Sequence, residues 1–284
     1  MHGSGLLPAF ASEGRSHVVF FQDTNVLAFK AIPAALGVSE RLGLAMNSLA
    51  VPRAAGEAAG AICRLQPPAG DGLVMNVEYN QLDALLRSAG GAGDEADGSG
   101  YSPYPGNVNT LVVALGPYAD ALAASGGAMP EFVNPKYADA SRCVFKKPTR
   151  LECMMQELPK LLPAHAKVGF TQFERWFSFS PVKNAIGDAV AQAAKGNYAA
   201  SPGAGEAAVY EANAALLRLA GATVEAGAPS SFLGLTLGLS PPISLSPRFA
   251  LTSDELVRRV SGGANVRISA ASALELDGDI ELSS

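Results

Sequence analysis

The stretch His17-Val18-Val19-Phe20-Phe21-Gln22-Asp23-Thr24-Asn25 decides how this chain is read. Val18 to Phe21 are apolar and run directly into a polar Gln-Asp-Thr-Asn cluster. A short β-branched and aromatic run bounded in this way predicts a buried parallel strand. In an open α/β sheet, ligands bind in the crevice at the carboxyl ends of such strands, where Asp23 stands. A carboxylate there can hold a divalent metal against a phosphate. Asp23 can equally cap the helix that follows, since Asp and Asn are favoured N-caps. Spacing alone leaves both roles open.

Downstream, Val26–Leu36 predicts a short helix broken by Pro33, and residues 41–51 lead into a strand ending at Val51. Ala61–Leu65 and Leu73–Tyr79 pattern as an antiparallel pair, with Pro67-Pro68 and Gly70-Asp71-Gly72 in the turn. Ser88–Gly100 is rich in Gly, Ala, Asp and Glu and predicts a mobile surface loop. Asn107–Leu115 turns apolar again, as a helix or a strand. Leu151–Leu162 carries apolar residues at i, i+3, i+4 and i+7, which predicts an amphipathic helix weakened by Pro159. Its Met154 and Met155 read as core packing. Residues 185–195 and 205–219 are Ala-rich and helical in propensity.

Past residue 225 the chain becomes a Pro, Gly, Ser and Leu mixture, then alternates with period two over 266–268 and 274–282. Asp277-Gly278 can make a type I′ hairpin, or these strands can be successive coils of a β-helix. The shift divides the chain into an α/β domain, 1–225, and a β-rich C-terminal domain, 226–284. The first strand begins after barely a helix's length of chain and the last residues follow a strand pattern. Early strands of the sheet, and part of the C-terminal domain, are therefore expected to be missing.

Composition narrows the function. The 284 residues are 48% hydrophobic and 17% charged, which fits a globular chain. A formal net charge of -5 argues against a nucleic-acid partner and still permits a phosphate-bearing small molecule. Cys63, Cys143 and Cys153 form no CxxC pair, which points to reduced thiols and a cytoplasmic location. With only His2, His17 and His165, a histidine-rich zinc site is not expected, and His165 has no triad signature around it. No secretory signal pattern opens the chain, and no apolar run is long enough to predict a membrane span.

Four polar clusters stand at expected strand ends: Gln22–Asn25, Glu78–Gln81, Pro105–Asn109 and Ser180–Asn184. Singly each is weak, because Glu78, Asn107 and Lys183 can be ordinary surface or turn residues. Together, the ordered motifs FFQDTN, NSLAVPR, MNVEYNQLD, PGNVN, EFVNPKY, TRLECMMQ and SPVKN resemble the UDP-sugar pyrophosphorylase family. These are UTP:monosaccharide-1-phosphate uridylyltransferases of the plant and algal type. The resemblance runs from about residue 3 to residue 220, fades over 226–245 and returns loosely near Arg258–Gly262.

The resemblance implies a Rossmann-like, GT-A-like mixed sheet flanked by helices, followed by a small β-helix-like C-terminal domain. It implies a reversible reaction in which UTP and a sugar 1-phosphate give a UDP-sugar and pyrophosphate, with Mg2+. It places Asp23 near the metal and phosphates, Glu78 and Asn107 against the sugar, and Lys183 on phosphate oxygens as the catalytic cation. It further implies breadth among glucose, galactose, xylose, arabinose and glucuronate 1-phosphates, and a monomer. The residue types suit this chemistry. The nucleophile is an anionic phosphate oxygen, so positioning and charge neutralisation replace a general base. A lysine is a compact charge on a flexible stem, and Glu and Asn can between them accept from and donate to hydroxyls.

Three departures stand out. The family's Gly-rich loop with Arg and Lys, which cradles the UTP phosphates, and its uracil contacts have no counterpart in Met1–Arg15. After Arg53, where the family is basic, this chain reads Ala54-Ala55-Gly56-Glu57 and leaves Arg53 as a lone cation. The C-terminal region looks shortened. Two expectations follow: an incomplete portion of an active uridylyltransferase, or a truncated non-catalytic chain that at best binds sugar phosphate or UDP-sugar.

Overall fold

The computed structural model describes residues 1–70, 72–133, 135, 137–139, 141, 143–149 and 151–283. Asp71 of the expected turn, Asn134 and Lys136 of EFVNPKY and Arg150 of TRLECMMQ lie outside the described residues. Two compact units form: residues 1–21 with 35–172, and residues 22–34 with 173–284.

The first unit contains α1 (Leu6–Ser12), β1 (His17–Phe20), the later part of α2 (Ala28–Leu42), β2 (Met46–Val51), β3 (Ala61–Leu65), β4 (Leu73–Val77) and α3 (Tyr79–Ser88). It continues with β5 (Gly106–Ala114), α4 (Leu115–Ala124), β6 (Glu131–Val133), β7 (Leu151–Cys153) and β8 (Val168–Gln172). The main sheet runs β4-β3-β5-β2-β8, with β1 also on β5. The length of β5 explains this arrangement. It holds β2 along one edge, while β3 meets Gly106 and β1 meets Leu111 to Ala114. The β2–β8 pairing is parallel and the others are antiparallel, so the sheet is mixed. Met46, Leu111 and Val113 pack with Leu115, Tyr118 and Leu122 of α4 to form its core.

Several expectations hold here and others do not. Ala61–Leu65 and Leu73–Val77 pair antiparallel as read, with Ala61 opposite Val77. The run after His17 is a strand, but antiparallel to β5 and only half-buried, not a buried parallel strand. A four-residue apolar run carries no information on direction. The helix does not break at Pro33 and continues to Leu42. Burial of Ala31, Ile32 and Ala35 outweighs one missing backbone bond. The amphipathic helix expected over Leu151–Leu162 is instead β7 followed by a 3-10 turn, Met155–Lys160, that contains Pro159. Pairing of β7 with β6 takes the first residues. Met155 packs on the β5–α4 core, as its reading required.

The second unit contains the start of α2, then α5 (Arg175–Ser178), α6 (Ile186–Ala193), α7 (Pro202–Leu219), β9 (Thr223–Val224), β10 (Pro229–Phe232) and β11 (Leu235–Gly238). After these come β12 (Ile243–Leu245), α8 (Ser253–Arg259), β13 (Arg267–Ile268) and β14 (Leu274–Leu276). Ser201 caps α7 by accepting from the Ala204 amide, and Pro202 occupies its first turn, where a missing N–H is harmless. β12 pairs in parallel with β14, and β13 with β9. Leu274–Leu276 therefore does not form a hairpin through Asp277-Gly278. Leu217 and Val224 share one core with Ile243, Phe249, Leu256, Ile268 and Leu276, so α7 packs with strands from beyond residue 225. Among the described residues no helix is long and apolar enough to cross a membrane.

Candidate functional site

In the first unit, Asn76 on β4 joins Glu78 to Asn107. Its side chain is buried, donates from Nδ2 to Glu78 Oε1 at 3.0 Å, and accepts at Oδ1 from Asn107 Nδ2 at 3.2 Å. Residues 76 and 78 are two apart, so an extended chain sends both side chains to one face. Glu78 immediately precedes α3 in the N-cap position, but its side chain accepts no capping bond. Asn107 is fixed from two sides: its amide donates to the Gly60 carbonyl at 2.8 Å, and its Oδ1 accepts from the Asn109 amide at 2.9 Å. Asn109 adopts a left-handed backbone, φ 61°, and its Oδ1 accepts from Gln156 Nε2. A continuous polar chain thus runs Glu78–Asn76–Asn107–Asn109–Gln156. Gly60 makes room for it, since a Cβ there would lie 2.3 Å from Asn76 Oδ1.

In the second unit, Asn25 ties the QDTN segment to SPVKN. It is buried, donates from Nδ2 to the Ser178 carbonyl at 2.8 Å, and accepts at Oδ1 from the Ser180 amide at 2.9 Å. Asn25 bridges antiparallel to Pro181, and the Val182 amide donates to the Thr24 carbonyl at 2.9 Å. Asp23 and Lys183 each adjoin this pairing, next in sequence to Thr24 and Val182. Asn25, not Asp23, serves the turn into α2, accepting from the Leu27 amide at 3.4 Å. On the other side, the amides of Lys183 and Asn184 both donate to the Ala200 carbonyl, at 2.8 and 2.9 Å. Ala200 is left-handed, φ 48°, and leads directly into the cap of α7. Both the Asp23 and Lys183 side chains are exposed and form no ion pair with each other. Asp23, Thr24, Val182, Pro202, Gly205 and Glu206 border an open cleft of about 440 Å³. Gly205 permits the close approach of α7, because a Cβ there would lie 2.7 Å from Val182 Cγ2.

No family model matches the chain. Over 279 residues, 98% of its length, it is 48% identical to UDP-sugar pyrophosphorylases of Oryza sativa, subspecies indica and japonica. It is 46% identical over the same length to the UDP-sugar pyrophosphorylase of Arabidopsis thaliana. The chain is a homologue of UDP-sugar pyrophosphorylases. It spans about 45% of the length of the curated relatives it matches. Solved structures support the fold alone. A protein of Entamoeba histolytica described as a UDP-N-acetylglucosamine pyrophosphorylase aligns with a TM-score of 0.64 at 16% identity, over 96% of this chain and 60% of that one. The UDP-N-acetylglucosamine pyrophosphorylase of Trypanosoma brucei aligns at 0.55 and 19% identity, over 76% of this chain and 39% of that one.

In this UDP-sugar pyrophosphorylase homologue Glu78 and Asn107 lie in the first unit, joined through Asn76, and Asp23 and Lys183 both lie in the second. Sequence reasoning missed the residues that assemble them: Asn76, Gly60 and Asn25. Each lies in or beside a motif, but nothing in the motif distinguishes a buried asparagine from an exposed one. The guanidinium of Arg53, the lone cation of its stretch, is fully buried and pairs in bidentate fashion with Asp94, from the segment expected to be a mobile surface loop. Burial pushes the Asp94 carboxyl up, but bonds from Arg53, the Gly56 amide and Ser102, with the Arg53 charge, hold it down at about 2.

Proposed function

We propose that this chain is part of a UTP:monosaccharide-1-phosphate uridylyltransferase, forming UDP-sugars and pyrophosphate reversibly from UTP and sugar 1-phosphates. The observation that carries the reading is 48% identity to UDP-sugar pyrophosphorylases across 98% of the chain. In this reading residues 1–225 belong to the nucleotidyltransferase domain and 226–284 to a β-helix-like C-terminal domain. The parallel pairing β12–β14, which lies within 226–284, supports the second assignment.

Glu78 and Asn107 bind sugar hydroxyls. The Asn76 bridge supports this role, because it pre-orients a carboxylate acceptor and an amide before any substrate arrives. Lys183 neutralises charge on phosphate oxygens, favoured by its exposed ammonium on a backbone pinned at Thr24 and Ala200. Asp23 holds Mg2+. Among the described residues no three His, Cys, Asp or Glu side chains form a metal cage. One exposed carboxylate still fits Mg2+, which retains waters and takes substrate phosphates as its other ligands. When bound, Mg2+ would offset negative charge on the substrate phosphates.

The test is formation of UDP-sugar from UTP, Mg2+ and glucose 1-phosphate. Turnover by these 284 residues, or by the chain extended to the full length of its relatives, supports the reading. Binding of UDP-glucose without turnover in either form would favour the non-catalytic alternative.

A further inference from the structure

Lys30, on the part of α2 that belongs to the second unit, places its ammonium inside a cavity. Nζ donates to Asn213 Oδ1 at 2.5 Å. Asn213, on α7, is 3% exposed and donates from Nδ2 to the Ile243 carbonyl at 2.6 Å. That second bond fixes the amide orientation, so its oxygen is the atom that faces Lys30. An ammonium carries three donors. Among the described residues Asn213 is its only hydrogen-bond partner, and no carboxylate pairs with it. A cation drawn out of water without a counter-charge is costly to keep. Burial accordingly lowers the Lys30 pKa.

The cavity measures about 310 Å³ and lies wholly within the second unit. Val26, Phe29, Val209, Leu216, Leu245 and Ala250 supply apolar wall. Ser244 and Ser253 add hydroxyls to its lining. Cavities of roughly 300–1,000 Å³ with a few polar groups in apolar walls are the usual form of small-ligand sites. A polyanion does not suit it, because Lys30 is the sole charged residue among those that line it.

We propose that this cavity binds a small monoanion with an apolar body, its carboxylate on Lys30 and its hydrocarbon against Val209, Leu216 and Leu245. The anion supplies the counter-charge that Asn213 cannot, and the body covers apolar wall now open to water. Val26 and Val209 also border the cleft beside Asp23, so the two cavities share walls.

Octanoate is the probe and octanamide its neutral counterpart, titrated calorimetrically into the 284-residue chain. Octanoate is expected to bind about tenfold more tightly, the scale of one charge-assisted bond in a partly dry site. Lys30→Met is expected to abolish that preference. Ser244→Trp, which obstructs the cavity from a surface position, is expected to block octanoate while leaving Lys30 in place. Failure of octanoate to bind the folded chain, equal binding of the two probes, or octanoate binding unchanged in Lys30→Met would overturn the proposal.

Discussion

Arg53 and Asp94 form a buried bidentate ion pair, with Nη1 at 3.0 Å from Oδ1 and Nη2 at 2.8 Å from Oδ2. Their side chains are 0% and 4% exposed. Further bonds surround the pair: Arg53 donates to the carbonyls of Ala59 and Glu57, and Asp94 accepts from the Gly56 amide and Ser102 Oγ. The pair therefore clamps residues 53–59 to the segment 94–102 beside the start of β5.

Asp94→Ala should destabilise the first unit by about 3–5 kcal/mol, because it leaves a guanidinium buried without a counter-charge. Denaturant unfolding at pH 7 reads this directly. A change below about 1 kcal/mol would mean that water reaches Arg53.

The same pair predicts an acid response. Asp94 is held at about 2 in the folded state, below its ordinary 3.8. A depressed carboxylate stabilises the fold above its unfolded value and loses that contribution as pH falls through its folded value. Stability should thus decline between about pH 4 and pH 2, and Asp94→Ala should lack that part of the decline. Parallel acid titrations of the two proteins, followed by circular dichroism, make the comparison.

Asn76→Ala separates Glu78 from Asn107 and should cost about 1 kcal/mol, since both partners lose a bond in a part-buried network. In a catalytically competent form it should raise KM for sugar 1-phosphate more than it lowers kcat. Gly60→Ala should act in the same direction by displacing the Asn76 amide. Unchanged KM in both variants would show that the polar chain is purely structural.

Lys183→Ala and Glu78→Ala should divide the kinetics between them. The lysine variant should lose turnover far more than sugar affinity, through lost charge neutralisation in the transition state. The glutamate variant should bind sugar 1-phosphate weakly and UTP almost normally. Unaltered turnover removes Lys183 from the reaction, and equal loss of both substrates makes Glu78 a folding residue.

Asn25→Ala removes both side-chain bonds that hold Ser178 and Ser180, and should cost about 1–3 kcal/mol. Amide hydrogen exchange should accelerate at Ser180 and Val182, whose strand-like pairing places Lys183. Exchange at wild-type rates would mean that the backbone bonds suffice.

The sequence determined the family resemblance, the mixed α/β class, the β3–β4 hairpin and the helices near 186–193 and 202–219. Periodicity, turn residues and motif order are local properties, and they survive in one dimension. It also identified Asp23, Glu78, Asn107 and Lys183 as residue types suited to phosphate and sugar. Tertiary structure alone decided which of them share a unit and what holds them. The direction of β1 depends on β5, some ninety residues later, and the helix through Pro33 depends on burial that propensity does not encode. Over 151–153, pairing with a distant strand overrode a helical pattern. Arg53 read only as a lone cation, without a partner, because Asp94 lies far along the chain in a segment expected to be a mobile loop. Asn76 and Asn25 were illegible for the same reason. Hydrogen-bond partners and burial are set by contacts between residues distant in sequence, and no local pattern carries them.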